Sequence, residues 1–257
     1  MSEQDENITC TCQQCSAFVK DHYRYCGKCG EYIQVTHLPI NVFNNVPLRR
    51  VSVFFIIYLF TGLLVKNTQW VTSYNQLFWI EIFLALITIG FAWESRKSIA
   101  PLFKINNFNR LLLMAVLSTA VGASLIVSFS IQQVNTTFFH SDVGYFSTYK
   151  GYRFPITLML WSIALLPAFI EELAFRGIIY NYIQQFTNEK WVVTITSFLF
   201  AFMHLSLLSV LWLLPFAFFI GFLRQRYHTL WYGIIFHFVF NSTACLIDLY
   251  REGLFSF

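Results

Sequence analysis

The amino-acid sequence predicts an all-α polytopic membrane protein, about seven transmembrane helices preceded by a small cytoplasmic cysteine-rich module. Three observations lead there. Of the 257 residues, 56% are hydrophobic and 19% aromatic, while only 12% are charged, about half the charged fraction of ordinary soluble domains. The charges gather in short polar gaps, leaving uncharged stretches at 51–65, 111–141, 154–170, 191–223 and 227–247. Such stretches have the composition of membrane spans. Finally, five of the six cysteines crowd into residues 10 to 29. This composition excludes a disordered chain, and a net charge of +4 scattered between apolar runs argues against a nucleic-acid surface.

The first 50 residues are polar, so the sequence predicts no signal peptide and a mature amino terminus. Within it, Cys12, Cys15, Cys26 and Cys29 form two CxxC pairs separated by ten residues. Each pair can bring two thiolates to one face of a tetrahedral ion, and the pattern looks like a zinc ribbon. Gly27 and Gly30 are expected to supply the positive φ that lets knuckle amides point at sulfur. Cys10 is a fifth thiol and His22 an alternative ligand. A module of this size cannot bury enough core to fold unaided, so structural Zn2+ would supply the folding free energy. The expected divisions are 1–35 for the ribbon, 36–50 for a linker and 51–257 for the membrane domain.

Seven spans are expected, at about 51–66, 77–94, 111–131, 154–186, 191–207, 209–223 and 229–249. The run 191–223 has 33 residues and would be roughly 50 Å long as one helix, against a hydrocarbon core of about 30 Å. It must break, and Ser206 to Ser209 is the expected place, although no Gly or Pro marks it. A cytoplasmic amino terminus puts Arg49, Arg50, Arg96, Lys97, Lys104, Arg110, Lys190, Arg224 and Arg226 inside, leaving Lys66, Lys150, Arg153 and Arg251 outside. That satisfies the positive-inside rule, and a reducing compartment suits free zinc thiolates.

Ionisable residues left inside the spans are functional candidates, because each costs about 2.5 to 3.5 kcal/mol to insert. Four charged ones remain, Glu81, Glu171, Glu172 and Arg176, joined by His204 and His237. Glu81 lies near the start of its span, where it is expected to snorkel or pair locally. Glu172 and Arg176 stand four apart and can form an ion pair on one helix face. Glu171 points roughly 140° away from Arg176 and is freer to face a cavity. Pro167, four residues upstream, should kink the helix and free backbone polarity there. Phe200 with His204, and His237 with Asn241, repeat the four-residue spacing. Counted from the cytoplasmic ends, Glu171, Arg176, His204, His237 and Asn241 fall roughly 13 to 22 Å into the membrane. A set at matched depth suggests one site rather than independent packing bonds.

Glu171-Glu172-Leu-Ala-Phe-Arg176 matches EExxxR, Phe200-Ala-Phe-Met-His204 matches FxxxH, and His237-Phe-Val-Phe-Asn241 matches HxxxN. In this order the three motifs resemble the CPBP family of intramembrane proteases, also called the Abi or type II CAAX protease family. The resemblance covers roughly 154–245 and reaches neither the first three spans nor the ribbon. It implies a glutamic-type endopeptidase. Glu171 would be the general base that activates water, assisted by His204. His237 and Asn241 would stabilise the oxyanion, and Glu172 and Arg176 would hold the base in position. It also implies peptides or protein tails presented at the membrane as substrates, prenylated tails in eukaryotic relatives and bacteriocin or signal precursors and self-immunity in bacterial ones. No cofactor is expected at the catalytic site, since EExxxR lacks the paired ligands of HExxH, although two histidines and a glutamate are a conceivable zinc set.

Two rival functions stay open on the sequence. One is a non-catalytic scaffold or regulator of the same family that binds peptides or partner proteins; the other, a transporter, lacks any inverted repeat. The intact motif positions favour an enzyme. The expected setting is a lipid bilayer, a bacterial plasma membrane by the chain's compactness, with no nucleic-acid partner. Asn-x-Ser/Thr matches at Asn7, Asn135 and Asn241 arise readily by chance, and Cys245 is expected as a small buried hydrophobe and Asp248 at the outer boundary of the last span.

Overall fold

The computed structural model describes residues 9–20, 25–33, 45–66, 70–104, 109–139 and 144–254. Strands β1 (Thr9–Thr11) and β2 (Phe18–Lys20) pair antiparallel, Cys10 opposite Val19. Seven principal helices follow among the described residues: α1 (Val46–Lys66), α2 (Tyr74–Glu94), α3 (Arg110–Val134), α4 (Pro155–Ile183), α5 (Glu189–Met203), α6 (Leu207–Tyr227) and α7 (Trp231–Arg251). All but α5 are long and apolar enough to cross a membrane. Large apolar side chains such as Phe60, Trp79, Leu86 and Trp93 are exposed on α1 and α2, as expected of faces whose solvent is hydrocarbon.

Several helices start ahead of their apolar runs because polar residues cap them. Asn45 Oδ1 accepts from the Leu48 N–H at 3.1 Å, so α1 begins at Val46 and takes Arg49 and Arg50 into its first turns. Arg50 then reaches Glu94 of α2 at 2.7 Å. Gln76 Oε1 accepts the Thr72 and Ser73 N–H groups at 2.9 and 3.1 Å and starts α2 at Tyr74. Asn109 and Asn188 cap α3 and α5 in the same manner.

The core is aromatic where the helices cross, with Phe54, Phe175, Phe200, Phe216 and Phe236 all buried. Along α3, Ser124 donates to the Phe240 carbonyl at 2.7 Å and fixes the height of α7. At Gly233 α7 is pressed against both α6 and α4: a Cβ there would lie 2.7 Å from Ile220 Cγ2 and 3.0 Å from Glu172 Oε2. Only hydrogen leaves room for that approach.

Helix α4 departs from the simple kink expected at Pro167. An α segment, Leu166–Glu172, lies between two π-helical stretches, Leu160–Leu165 and Leu173–Ile179. Proline has no N–H for the carbonyl four residues back, Ile163, and the wide turn absorbs the misfit. The chain reverses between α5 and α6 at His204–Ser206, about two residues ahead of the expected break. Leu205 takes φ 49° there without glycine, and Ser206 caps α6 through the Ser209 N–H at 3.3 Å.

Near the other end of α4, Glu81 takes the pairing alternative. Since α2 starts at Tyr74, Glu81 sits two turns in, and its Oε2 accepts from Ser162 Oγ at 2.8 Å, which in turn bonds Tyr74 Oη at 2.8 Å. Asp248 accepts the Phe146 N–H at 2.8 Å and holds the turn 146–148 against α7. Cys245 is fully buried among Met159 and Leu249, as its apolar neighbours suggested.

Candidate active site and metal site

The EExxxR segment occupies the junction between the α segment of α4 and its second π-helical stretch. Glu172 is 0% exposed and Arg176 1%. Arg176 Nη1 donates to Glu172 Oε1 at 3.0 Å, the ion pair that the spacing predicted. The same oxygen receives His237 Nδ1 of α7 at 3.0 Å. Arg176 Nη2 reaches the Ala217 carbonyl of α6 at 3.2 Å, and the guanidinium lies 4.4 Å from the centre of the Phe200 ring on α5. One arginine thus ties α4 to α5 and α6. Charge in so dry a setting is stable only when paired and hydrogen-bonded like this.

His237 is held edge-on to Phe216, with ring centres 5.0 Å apart. Because a carboxylate only accepts, the proton between His237 and Glu172 belongs to Nδ1. His204 ends α5, and its Nδ1 lies 3.0 Å from the Phe200 carbonyl. A carbonyl accepts too, so this Nδ1 carries hydrogen and Nε2 is left as an acceptor on the neutral ring. Asn241, one turn beyond His237, donates Nδ2 to the Ile163 carbonyl at 2.7 Å. That carbonyl is the one Pro167 cannot serve, so a proline in α4 creates the docking point for an amide of α7.

Glu171 is half-buried and its Oε2 is enclosed without a hydrogen-bond partner, as is Glu172 Oε2, whereas Glu172 Oε1 has two. The structure therefore joins Glu172, Arg176 and His237 into one network. Glu171, His204 and Asn241 stand beside it with their own partners or, for one Glu171 oxygen, none. The Phe200 ring links the groups, lying 5.0 Å from the His204 ring and 6.1 Å from the His237 ring.

Sequence reasoning missed Arg224, counted as a cytoplasmic charge. It is buried, its Nε donates to the Arg176 carbonyl and its Nη2 to Asn181 Oδ1, both at 3.1 Å, and its guanidinium lies 4.8 Å from the Tyr180 ring centre. The π-helical turn changes which carbonyls find helical donors, so the long-range partner was invisible in the spacing of charges.

Residues 153–243 match the family model described as type II CAAX prenyl endopeptidase Rce1-like. That segment, about a third of the chain, is similar to the Rce1-like family. All three motifs lie inside it, while α1 to α3 and the cysteine module lie outside. Neither a curated protein nor a solved structure matches the chain. The Rce1-like segment, set in a multi-pass helical fold, supports an intramembrane protease role with a lipid surround and peptide substrates.

The amino-terminal cysteines form a second site. The Sγ atoms of Cys12, Cys15, Cys26 and Cys29 lie within 4.8 Å of one another, with Cys12 to Cys29 and Cys15 to Cys26 both 3.5 Å. A tetrahedral ion with bonds of about 2.3 Å needs sulfurs about 3.8 Å apart, so the set can hold a metal ion. Two equivalent knuckles build it. The Cys12 N–H bonds the Ala17 carbonyl at 2.9 Å, and the Cys26 N–H bonds that of Glu31 at 2.8 Å. Gly30 takes the expected positive φ, 76°, but the matching place in the first knuckle is Ser16 at 55°, and Gly27 is not in the left-handed region. The Cys10 side chain and His22 lie outside the described residues.

Burial raises the Cys26 and Cys29 thiols above their ordinary value; it acts upward on Cys12 too, but amide hydrogen bonds from Cys15 and Gln14 bring that thiol down to about 7. Metal must therefore displace protons from Cys26 and Cys29, and apparent affinity should fall as pH falls. Chelation is expected to unfold residues 9–33 while α1 to α7 keep their helicity. Amide hydrogen exchange with and without chelator checks it, and unchanged protection in the module would contradict a structural metal.

Proposed function

We propose that the protein is an intramembrane endopeptidase in which Glu171 is the general base. The observation that carries the reading is the unlike treatment of two adjacent carboxylates: Glu172 is fully buried and ion-paired through Oε1 to Arg176 and His237, while the half-buried Glu171 is paired with neither, although each keeps an enclosed Oε2 with no partner. An ion-paired carboxylate holds geometry, and an unpaired one is available for a proton.

In the proposed reaction Glu171 takes a proton from water, and the water oxygen attacks the carbonyl carbon of the scissile peptide bond. The second water hydrogen is held by Nε2 of His204, whose Nδ1 proton is committed to Phe200. The resulting oxyanion is stabilised by Nε2–H of His237 and the remaining N–H of Asn241. An amide nitrogen carries two hydrogens, and only one is spent on Ile163. His237 can donate through Nε2 only with both nitrogens protonated, and Glu172 stabilises that imidazolium as a buried counter-charge. Collapse breaks the C–N bond, and the proton on Glu171 passes to the leaving amine.

Substrates are membrane-presented peptides or protein tails. The ribbon carries structural Zn2+, the amino terminus is cytoplasmic, and the setting is a bacterial plasma membrane. The test is proteolysis by purified protein in liposomes against membrane-anchored peptides, with and without a prenylated cysteine, beside a Glu171→Gln variant and with chelator. Cleavage that persists in chelator and disappears in the variant supports the reading. Cleavage lost in chelator by a ribbon-deleted protein would instead favour a catalytic metal. Failure of every peptide would turn attention to a scaffold that binds without cutting.

A further inference from the structure

The two π-helical stretches of α4 each offer a carbonyl to a side chain of another helix. In the first, the Ile163 carbonyl takes Asn241 of α7. In the second it is the Arg176 carbonyl. An α-helix would give that carbonyl the N–H of Tyr180, four residues on, but the Tyr180 N–H turns to the carbonyls of Phe175 and Gly177 instead. Arg224 of α6 takes its place, Nε donating at 3.1 Å.

The other contacts of Arg224 fall on the same end of α4. The side chain is buried, its Nη2 donates to Asn181 Oδ1 at 3.1 Å, and its guanidinium lies 4.8 Å from the Tyr180 ring centre. The His228 N–H closes α6 on the Arg224 carbonyl at 3.0 Å, which fixes the backbone behind it. The next residue, Gln225, donates Nε2 to Glu189 Oε2 at 2.8 Å in the first turn of α5. Consecutive residues of α6 thus hold the two helices that carry EExxxR and FxxxH.

A π-helical turn takes in about one residue more than an α turn. Tightening it would rotate Glu171 and Glu172 by about 100° against the carboxyl end of α4 and carry Glu172 Oε1 away from His237 Nδ1, now at 3.0 Å. Left to itself the helix would gain by tightening, because the Arg176 carbonyl would recover a backbone donor. Arg224 removes that gain by satisfying the carbonyl from outside.

We infer that Arg224 is a positioning residue of the site: by occupying the Arg176 carbonyl it keeps the turn wide and Glu172 against His237. Its bearing on turnover rests on the proposed protease reading, in which His237 stabilises the oxyanion. Its hold on the turn does not.

Arg224→Met keeps an unbranched stem and removes every donor. Its kcat should fall at least about tenfold, since a misplacement of about 1 Å can cost about a hundredfold, with KM unchanged. Arg224→Lys keeps one ammonium, which can serve the Arg176 carbonyl but not Asn181 as well, and should recover part of the rate. Nitrogen NMR of histidine-labelled protein in detergent supplies a readout independent of turnover. The His237 Nδ1 signal, identified by its loss in His237→Gln, should move in Arg224→Met and return toward its native position in Arg224→Lys.

An unmoved His237 signal overturns the inference, even where kcat falls with the thermal midpoint, because Arg224 then only packs. A moved signal with unchanged kcat overturns the positioning role as well. If Arg224→Met does not fold, Arg224→Lys carries the same two readouts. If native protein and Glu171→Gln cleave alike, or neither cleaves, the protease reading fails, and the His237 signal alone decides whether Arg224 holds the turn.

Discussion

Glu171→Gln is expected to lower kcat by about three orders of magnitude while the protein stays folded in the membrane. The size follows from what general-base catalysis contributes, about 10²- to 10⁴-fold, and the constancy of fold from the near-equal volume of the two side chains. The amide can neither take the proton from water nor deliver one to the leaving amine. Its cost to stability is small because the enclosed Oε2 has no native hydrogen bond to lose. Glu172→Gln is the control with the opposite signature. It removes the shared counter-charge of Arg176 and His237, so it should lower stability as well as rate. Cleavage kinetics beside thermal denaturation in detergent separates the two, and retained turnover in Glu171→Gln would sink the assignment.

Arg176→Ala should be the most destabilising single change at the site, by about 3 to 5 kcal/mol, because it leaves a fully buried carboxylate short of its cation. Three contacts go at once: Glu172, the Ala217 carbonyl and the face of Phe200. Arg176→Lys keeps the charge but not the planar fork, and a single ammonium cannot span from Glu172 to Ala217. It should fall between native and alanine. Reversible denaturation of the three proteins checks the order, and an alanine variant as stable as native would show that the pair contributes nothing net.

Much of this arrangement was legible because it is local. The i,i+4 ion pair, the CxxC knuckles and the need to break the run 191–223 follow from helix geometry and length alone. What escaped depends on how helices cross. Nothing in HFVFN says that His237 meets Glu172 rather than Glu171, since that choice is set by Gly233 letting α7 approach α4. Arg224 looked cytoplasmic by charge placement, and only the folded π-helical turn of α4 shows what it serves. For Glu81 the sequence left snorkelling and local pairing both open, and its partner Ser162 sits on another helix that spacing alone could not name. Leu205 at a positive φ had no glycine or asparagine to announce it; the turn is imposed by the length of the apolar run.

Helix α5 has 15 residues, about 22 Å of rise, shorter than a hydrocarbon layer of about 30 Å. A bilayer that meets the polar turn at the end of so short a helix is expected to thin there. The His204 end of the site would then stand at the foot of a local thinning, admitting water where peptide hydrolysis requires it. Hydrophobic mismatch costs fractions of a kcal/mol per Å, and it becomes a term in the reaction itself. Cleavage measured in liposomes of graded acyl-chain length should be fastest in the thinner ones, and a rate indifferent to thickness would show that water arrives by another way. On this account the membrane is a deformable part of the enzyme, and its stiffness is one of the quantities that sets the rate.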